Sequence, residues 1–229
     1  MNVAIISARG GSKRIPRKNI KDFLGKPIIA YSIETAIASK KFDTVMVSTD
    51  DDEIAAIAKK YGADIPFLRS AKNSDDYAST ADVIEEVLIN YKNLNKNFKY
   101  ACCIYPTAPL VKPENIIKSY NVMIENNYNS VYPVCAFSYP IQRSLTIVNN
   151  KITMLYPDNI NKRSQDLQPT FHDAGQFYWI KTDFFLSEKK ILTTNTGAII
   201  LSELEVQDID NESDWKLAEL KYKITHEKI

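Results

Sequence analysis

Apolar positions along the chain alternate between short unbroken runs and longer stretches in which they recur every three or four residues. The unbroken runs read as buried strands and the periodic stretches as amphipathic helices. Residues 3–6 open the chain as a strand. Residues 28–39, with Ile29, Ile33, Ala36 and Ile37 on one face, predict a helix whose first turn suits Pro27. Residues 44–49 predict a second strand. Ile54, Ile57, Ala58 and Tyr61 predict a helix that Gly62 ends. Residues 63–68 read as a short strand. Ser79 or Thr80 caps a helix running through Val83, Ile84, Val87, Leu88 and Tyr91, and residues 93–99 form a polar loop. The run 100–105 is the most apolar strand, stopped by Pro106-Thr107-Ala108-Pro109. Pro113 opens a helix with Ile116, Ile117, Tyr120, Met123 and Ile124 on one face, and residues 130–136 are another strand.

Strands alternating with helices across short connections predict a doubly wound, Rossmann-like α/β core with a mostly parallel sheet. Ligands of such sheets sit at the carboxyl ends of the strands. The alternation breaks at residues 138–171. There, Leu145-Thr146-Ile147-Val148 and Ile152-Thr153-Met154-Leu155-Tyr156 flank Asn149-Asn150-Lys151 as a hairpin. Such a hairpin cannot bury its own apolar faces, so a second copy of the chain is the expected partner. Residues 171–180 return to the core, 196–201 form a strand, 204–210 are extended, and 214–222 make the closing helix. The 229 residues read as one domain.

Composition adds bounds. Hydrophobic residues are 45% and charged residues 25%, and 29 basic against 28 acidic residues leave a net charge of +1. A polyanion-binding polycation is therefore not expected, and any cationic site must be local. The three cysteines, Cys102, Cys103 and Cys135, lack metal-ligand spacing and read as reduced core residues of a cytoplasmic protein. No signal peptide is expected, and no apolar run approaches the ~20 residues of a membrane span.

Candidate chemistry begins directly after the first strand. Ser7-Ala8-Arg9-Gly10-Gly11-Ser12-Lys13-Arg14-Ile15-Pro16-Arg17-Lys18-Asn19 pairs two glycines with five cations. Glycines bring backbone N–H groups close to a ligand, and cations beside them suit a phosphate chain. Near the other end, Asp208 and Asp210 flank Ile209. On extended backbone, residues i and i+2 point to one side, so both carboxylates could share a magnesium ion. Alternatively Asp210 or Asn211 caps the last helix. The triplet Asp50-Asp51-Asp52 fits a helix cap better than a metal site.

The opening loop resembles the signature of the acylneuraminate cytidylyltransferases, and the likeness covers nearly the whole chain. It implies a nucleotide-diphospho-sugar transferase type of fold, with Mg2+ and CTP as cofactor and co-substrate. In the reaction this resemblance implies, a sugar hydroxyl attacks the α-phosphorus of CTP and pyrophosphate leaves. By this resemblance Ala8, Arg9, Gly10, Ser12, Asn19, Arg69 and Ser79 hold the nucleotide, with Arg69 also readable as a surface charge. Arg9, Lys13 and Lys18 stabilise the transferring and leaving phosphates, Asp208 and Asp210 hold the metal, and 138–171 is a dimerisation insert whose partner reaches into the site.

Tyr105-Pro106-Thr107 and His172-Asp173-Ala174-Gly175-Gln176-Phe177-Tyr178-Trp179 look like the branch that activates pseudaminic acid, a nine-carbon nonulosonic acid, for surface glycan or flagellin glycosylation. Tyr105, Thr107, His172, Asp173, Gln176 and Tyr178 then face the sugar. Arg163 would take its carboxylate, unless it is only an exposed loop arginine. Sialic or legionaminic acid as acceptor, and a non-catalytic nucleotide-binding module, are the competing readings.

Overall fold

The computed structural model describes residues 1–226. In chain order its elements are β1 (Asn2–Ser7), β2 (Asp22–Phe23), β3 (Lys26–Pro27), α1 (Ile28–Ser39), β4 (Thr44–Ser48), α2 (Asp52–Lys60), α3 (Thr80–Asn93), β5 (Tyr100–Ile104), α4 (Pro113–Glu125) and β6 (Ser130–Ala136). They continue with β7 (Leu145–Val148), β8 (Lys151–Met154), β9 (Phe171–Asp173), β10 (Phe177–Lys181), α5 (Thr182–Glu188), β11 (Thr196–Leu201) and α6 (Glu212–His226).

The main sheet runs β11-β6-β10-β5-β1-β4, with β9 paired to β6. Strands β4, β1 and β5 are mutually parallel, as are β6 and β11. Strand β10 lies antiparallel between β5 and β6, and β9 is antiparallel to β6. The strands before the insert, β1, β4, β5 and β6, all run in one direction, as the mostly parallel expectation has it. The chain re-enters the sheet from the carboxyl edge after the insert, so β9 and β10 run against their neighbours.

Side-chain alternation along β1 shows how the layers form. Ala4 and Ile6 join Ile29 and Ile33 of α1, Ile54 of α2 and Ile116 and Met123 of α4 on one face. Val3 and Ile5 join Ile84, Val87, Leu88 and Tyr91 of α3 and Phe185 of α5 on the other. A third cluster stands apart, formed by Ile15, Phe23, Ile28, Tyr31, Ile209, Trp215 and Ala218. It draws residues from the opening loop, the β2–β3 ribbon and the last helix. Phe23 sits edge-on to Tyr31, Trp215 and Tyr222 at centroid distances of 5.3, 5.6 and 5.8 Å, a favourable aromatic geometry.

Three local expectations change. Residues 63–68 form no strand; only Asp64 bridges Met46 of β4. Pro66 has no N–H to extend the ladder. The stretch 204–210 begins in a 3-10 turn, Glu203–Glu205, because Ser202 and Glu205 form a capping box. The β7–β8 turn uses two residues, Asn149 and Asn150, at φ 50° and 63°, as the right-handed strand twist demands; Lys151 already belongs to β8. Little covers the hairpin: Ile147 and Ile152 are 69% and 65% exposed.

Candidate active site

The opening loop leaves β1 at the carboxyl edge of the sheet and is fixed from below. Ala8 is fully buried and its N–H donates to Ser48 O at 2.9 Å. The Gly10 N–H donates to Asp50 Oδ1 at 2.9 Å. A Cβ at Gly10 would stand 2.8 Å from Asp51 Oδ2, so the close approach requires glycine. Asp51 caps α2 through Ile54 N at 2.9 Å and is gripped by Arg17. Those bonds hold its carboxyl at about 2, well below its ordinary value. Asp50 and Asp51 thus serve the loop and the helix cap. The Ser12 N–H is also engaged, by Gly10 O at 3.0 Å. In this conformation two of the amides expected to face phosphate are therefore satisfied within the protein, and the cations supply most of the loop's attraction for anions.

Beyond the glycines, Ile15 is 1% exposed in the third cluster. This turns the loop so that Lys18 meets the segment around Asp208. Lys18 Nζ donates to Ile209 O at 2.6 Å. Burial pushes its ammonium below the usual lysine value, opposed by the charges of Asp210 and Asp208. Ile209 is fully buried in the same cluster, so its two neighbours project to the opposite side of the extended backbone. Burial and the charge of Asp210 raise the Asp208 carboxyl, against the pull of Lys18. Arg14 pairs with Asp210 at 2.7 Å. The cap of α6 falls to Asn211, whose Oδ1 accepts from Ser213 N and Asp214 N at 2.8 and 3.0 Å. Asp210 is thereby released from capping.

Two depressions share Ser7 and Arg9. One, about 190 Å³, is lined by Ser12, Lys13, Arg14, Lys18, Asn19 and Thr107 among others. The second, about 170 Å³, includes Arg69, Asp75, Asp76, Ser79 and Thr80. Asn19 is 5% exposed and its Nδ2 donates to Arg9 O at 2.8 Å, pinning the loop across its own turn. Arg69 is only 7% exposed. Its Nε donates to Ser48 Oγ at 3.0 Å and an Nη to Ser7 Oγ at 3.0 Å, and burial lowers its basicity. This arginine ties the ends of β1 and β4 together, which its sequence context alone did not separate from a surface charge. Ser79 is the N-cap of α3 in a capping box with Asp82. Between the two depressions Arg9 donates to Asp75 O at 2.6 Å and pairs with Asp76 at 3.0 Å; Lys13 also pairs with Asp76. Sequence reasoning counted Arg14 among the loop cations without foreseeing its pairing with Asp210, and it passed over Asp75 and Asp76. Their charges were visible, but no local pattern places them beside the loop.

A third cavity, about 310 Å³, opens past Asp208 and is lined by His172, Asp173, Glu203, Lys221 and Cys135 among others. His172 Nδ1 donates to Asp173 O at 2.8 Å, and its ring meets Phe137 at 5.0 Å. Tyr178 OH donates to Asp173 Oδ2 at 2.8 Å. Tyr105 packs on Tyr178 at 5.4 Å, with its hydroxyl 3.3 Å from Thr80 Oγ1. Two expected sugar contacts lie elsewhere. Gln176 is 2% exposed, and its amide nitrogen donates to Glu205 O at 2.5 Å, so it braces the 203–205 turn. Arg163 is on the exposed insert, paired with Asp166 at 2.8 Å, and lines none of these cavities. Larger hollows of about 420 and 480 Å³ lie away from the loop, under Glu86 and beside Tyr91.

The residues present fit a magnesium ion: two carboxylates on one side of an extended segment, with Asp208 raised in proton affinity by burial and by the charge of Asp210, offer only hard oxygen donors. Among the described residues no cluster of three or more His, Cys, Asp or Glu side chains suits a metal, so water and substrate oxygens would have to complete the shell.

The family model described as Cytidylyltransferase matches residues 3–229. The chain belongs to the cytidylyltransferase family. Among curated relatives of this cytidylyltransferase is the pseudaminic acid cytidylyltransferase of Campylobacter jejuni subsp. jejuni serotype O:2, 43% identical over 99% of the chain and 98% of the relative. The CMP-N,N'-diacetyllegionaminic acid synthase of the same organism is 34% identical over 93% of the chain and 92% of the relative. Among solved structures, a CMP:2-keto-3-deoxy-manno-octonic acid synthetase complexed with CTP superposes with a TM-score of 0.72 at 16% identity, covering 99% of each chain. At that identity the likeness to the synthetase is one of fold.

Proposed function

We propose that the enzyme transfers the cytidylyl group of CTP to pseudaminic acid, forming CMP-pseudaminic acid and pyrophosphate for later glycan transfer. The observation that carries this reading is the full-length 43% identity to a relative of that name. The acceptor's hydroxyl oxygen bonds to the α-phosphorus, the α–β phosphoanhydride bond breaks, and the hydroxyl proton is released. Such a transfer requires alignment and neutralisation of charge more than covalent help.

Lys18, held between the loop and Ile209 O, is suited to the α-phosphate. Lys13 and Arg9, at the mouth, suit the departing pyrophosphate once they part from Asp76. Arg69 and Ser79 line the depression that we assign to the nucleoside. Asp208 and Asp210 would hold magnesium, which supplies Lewis-acid polarisation of the phosphoryl oxygens. Tyr105, Asp173 and Tyr178 form one hydroxyl–carboxylate cluster suited to reading the hydroxyl pattern of a sugar.

The exposed faces of the β7–β8 hairpin support a homodimer through residues 138–171, with Arg163 then carried toward the partner. Three free buried cysteines fit a reducing cytoplasm. Among the described residues no helix is long and apolar enough to cross a membrane.

The test is pyrophosphate release with CTP and Mg2+ against pseudaminic, legionaminic and sialic acids, with product mass as readout. Turnover of pseudaminic acid above the others is expected. Preference for legionaminic or sialic acid would replace the acceptor, and no release with any of them would overturn the reading. Lys18→Ala should lower kcat by orders of magnitude with little change in unfolding temperature.

A further inference from the structure

The cavity beyond Asp208 contains a charge that the phosphate-directed cations leave unexplained. Arg9, Lys13, Arg14 and Lys18 all line the neighbouring depression. Among the described residues Lys221, from α6, is the one lysine or arginine lining this one, beside the imidazole of His172. It stands half-buried, and its Nζ donates to Val206 O at 2.7 Å. An ammonium has three N–H donors, so a single bond to a neutral carbonyl leaves both donors and charge in hand. Its charge reaches the cavity floor: Cys135 feels Lys221 and Glu203 with opposite signs. A half-buried cation resting on a carbonyl is poorly compensated, and an anion entering the cavity would complete it.

The remaining walls narrow the anion's class. Asp173, Glu203 and Asp208 present carboxylates to the same space. They would repel a multiply charged phosphate. They would accept hydrogen bonds from hydroxyl groups, and one cation among them orients a single carboxylate. The ligand that fits is a polyhydroxylated acid, bound with its carboxylate on Lys221 and its hydroxyls toward the acids. Arg163, the cation expected from sequence, is engaged with Asp166 on the insert.

We propose that Lys221 binds the carboxylate of the acceptor and so determines, from within the same chain, that the enzyme takes sugar acids. This rests on the reading that the acceptor is a sugar acid.

Steady-state kinetics on the full-length enzyme, with pseudaminic acid and its methyl ester, test it. Lys221→Gln keeps a donor for Val206 O while removing the charge; Lys221→Arg keeps the charge. Loss of a charged hydrogen bond predicts a KM for the acid raised by about 10-fold or more in Lys221→Gln. The KM for CTP should stay within about twofold, and Lys221→Arg should recover most of the loss. The unaltered enzyme should discriminate against the ester, and Lys221→Gln should treat acid and ester alike, because the ester has already lost what the variant removes. Equal discrimination in both proteins, or an unchanged KM for the acid, would overturn the assignment. So would a uniform loss of kcat on acid and ester, which marks a packing role. The same loss on Arg163→Gln with none on Lys221→Gln would move the role to the insert. Failure of the unaltered enzyme to use any sugar acid is a separate result; it would remove the acceptor reading and this assignment with it.

Discussion

Replacing Ile209 by alanine separates two roles that one residue joins. Its side chain is fully buried against Ile15, Phe23 and Trp215. Its carbonyl receives Lys18 Nζ, and its neighbours are the two aspartates. An isoleucine-to-alanine truncation in a packed core costs about 2–5 kcal/mol, whereas isoleucine-to-valine costs about 0.5–1.5. The cluster is small and borders an open groove, so partial collapse is expected and about 3 kcal/mol is a reasonable central value for alanine. At about 2.1 cal/mol/K per residue, a chain of 229 residues unfolds with an entropy near 0.5 kcal/mol/K. The unfolding temperature should therefore fall by about 6 °C for Ile209→Ala and about 2 °C for Ile209→Val.

Activity assayed well below either transition reads the second role. With its anchor shortened, the 208–210 segment samples more positions. The magnesium concentration for half-maximal rate should rise and kcat should drop, both more in alanine than in valine. Differential scanning fluorimetry and a magnesium titration of pyrophosphate release measure the two effects. An alanine variant that loses the expected stability yet keeps its magnesium requirement and kcat would refute the argument that this cluster positions the carboxylates.

Other perturbations have equally definite outcomes. Asp208 has a raised pKa when folded, so the folded chain holds that proton more tightly than the unfolded chain. Its contribution to stability therefore falls as pH rises through the unfolded value of 3.8. Asp208→Asn should raise the unfolding temperature at neutral pH without Mg2+, lose the Mg2+-induced stabilisation of the parent, and abolish turnover; an equal Mg2+ shift in both proteins would contradict the metal assignment.

Asp51 is lowered from 3.8 to about 2, chiefly by Arg17. Glu205 reaches about 2 from 4.5, where burial is outweighed by the bonds from Lys112 and Ser202. Their stabilisation is complete above the unfolded values and lost as pH falls toward 2. Asp51→Asn should flatten the acid limb of stability between about pH 4 and 2, as read by urea unfolding at each pH. Glutamates at both Ile147 and Ile152 should halve the mass seen by light scattering with the circular dichroism spectrum intact; a parent that is already monomeric at micromolar concentration would end the dimer proposal.

Much of the architecture follows from local pattern. Helix α1 begins and ends where the periodicity of residues 28–39 and Pro27 put it. Ser79 caps α3, and Gly62 closes α2 at φ 94°. These features depend on residues a few positions apart, where propensity and capping act. The strand expected at 63–68 fails because pairing is a non-local matter: Asp64 meets β4 once, and the proline behind it ends the contact. The antiparallel entry of β10 was equally hidden, since an apolar run contains no record of its direction.

The site divides along the same line. Residue types and spacing in the chain itself set out a cationic glycine loop after the first strand and two carboxylates separated by one apolar residue. Their meeting is a tertiary fact. Lys18 and Ile209 are 191 positions apart, and they are joined because Ile15 and Ile209 are buried in one small aromatic cluster. Burial of Arg69 under Ser7 and Ser48, the pairing of Asp76 with the loop and the opening of Lys221 and Asp208 onto one cavity are likewise tertiary. Local sequence determines which groups are available and how each helix starts and stops. Which of them share a cavity depends on the apolar surfaces that packing brings together, and that is settled only when the whole chain folds.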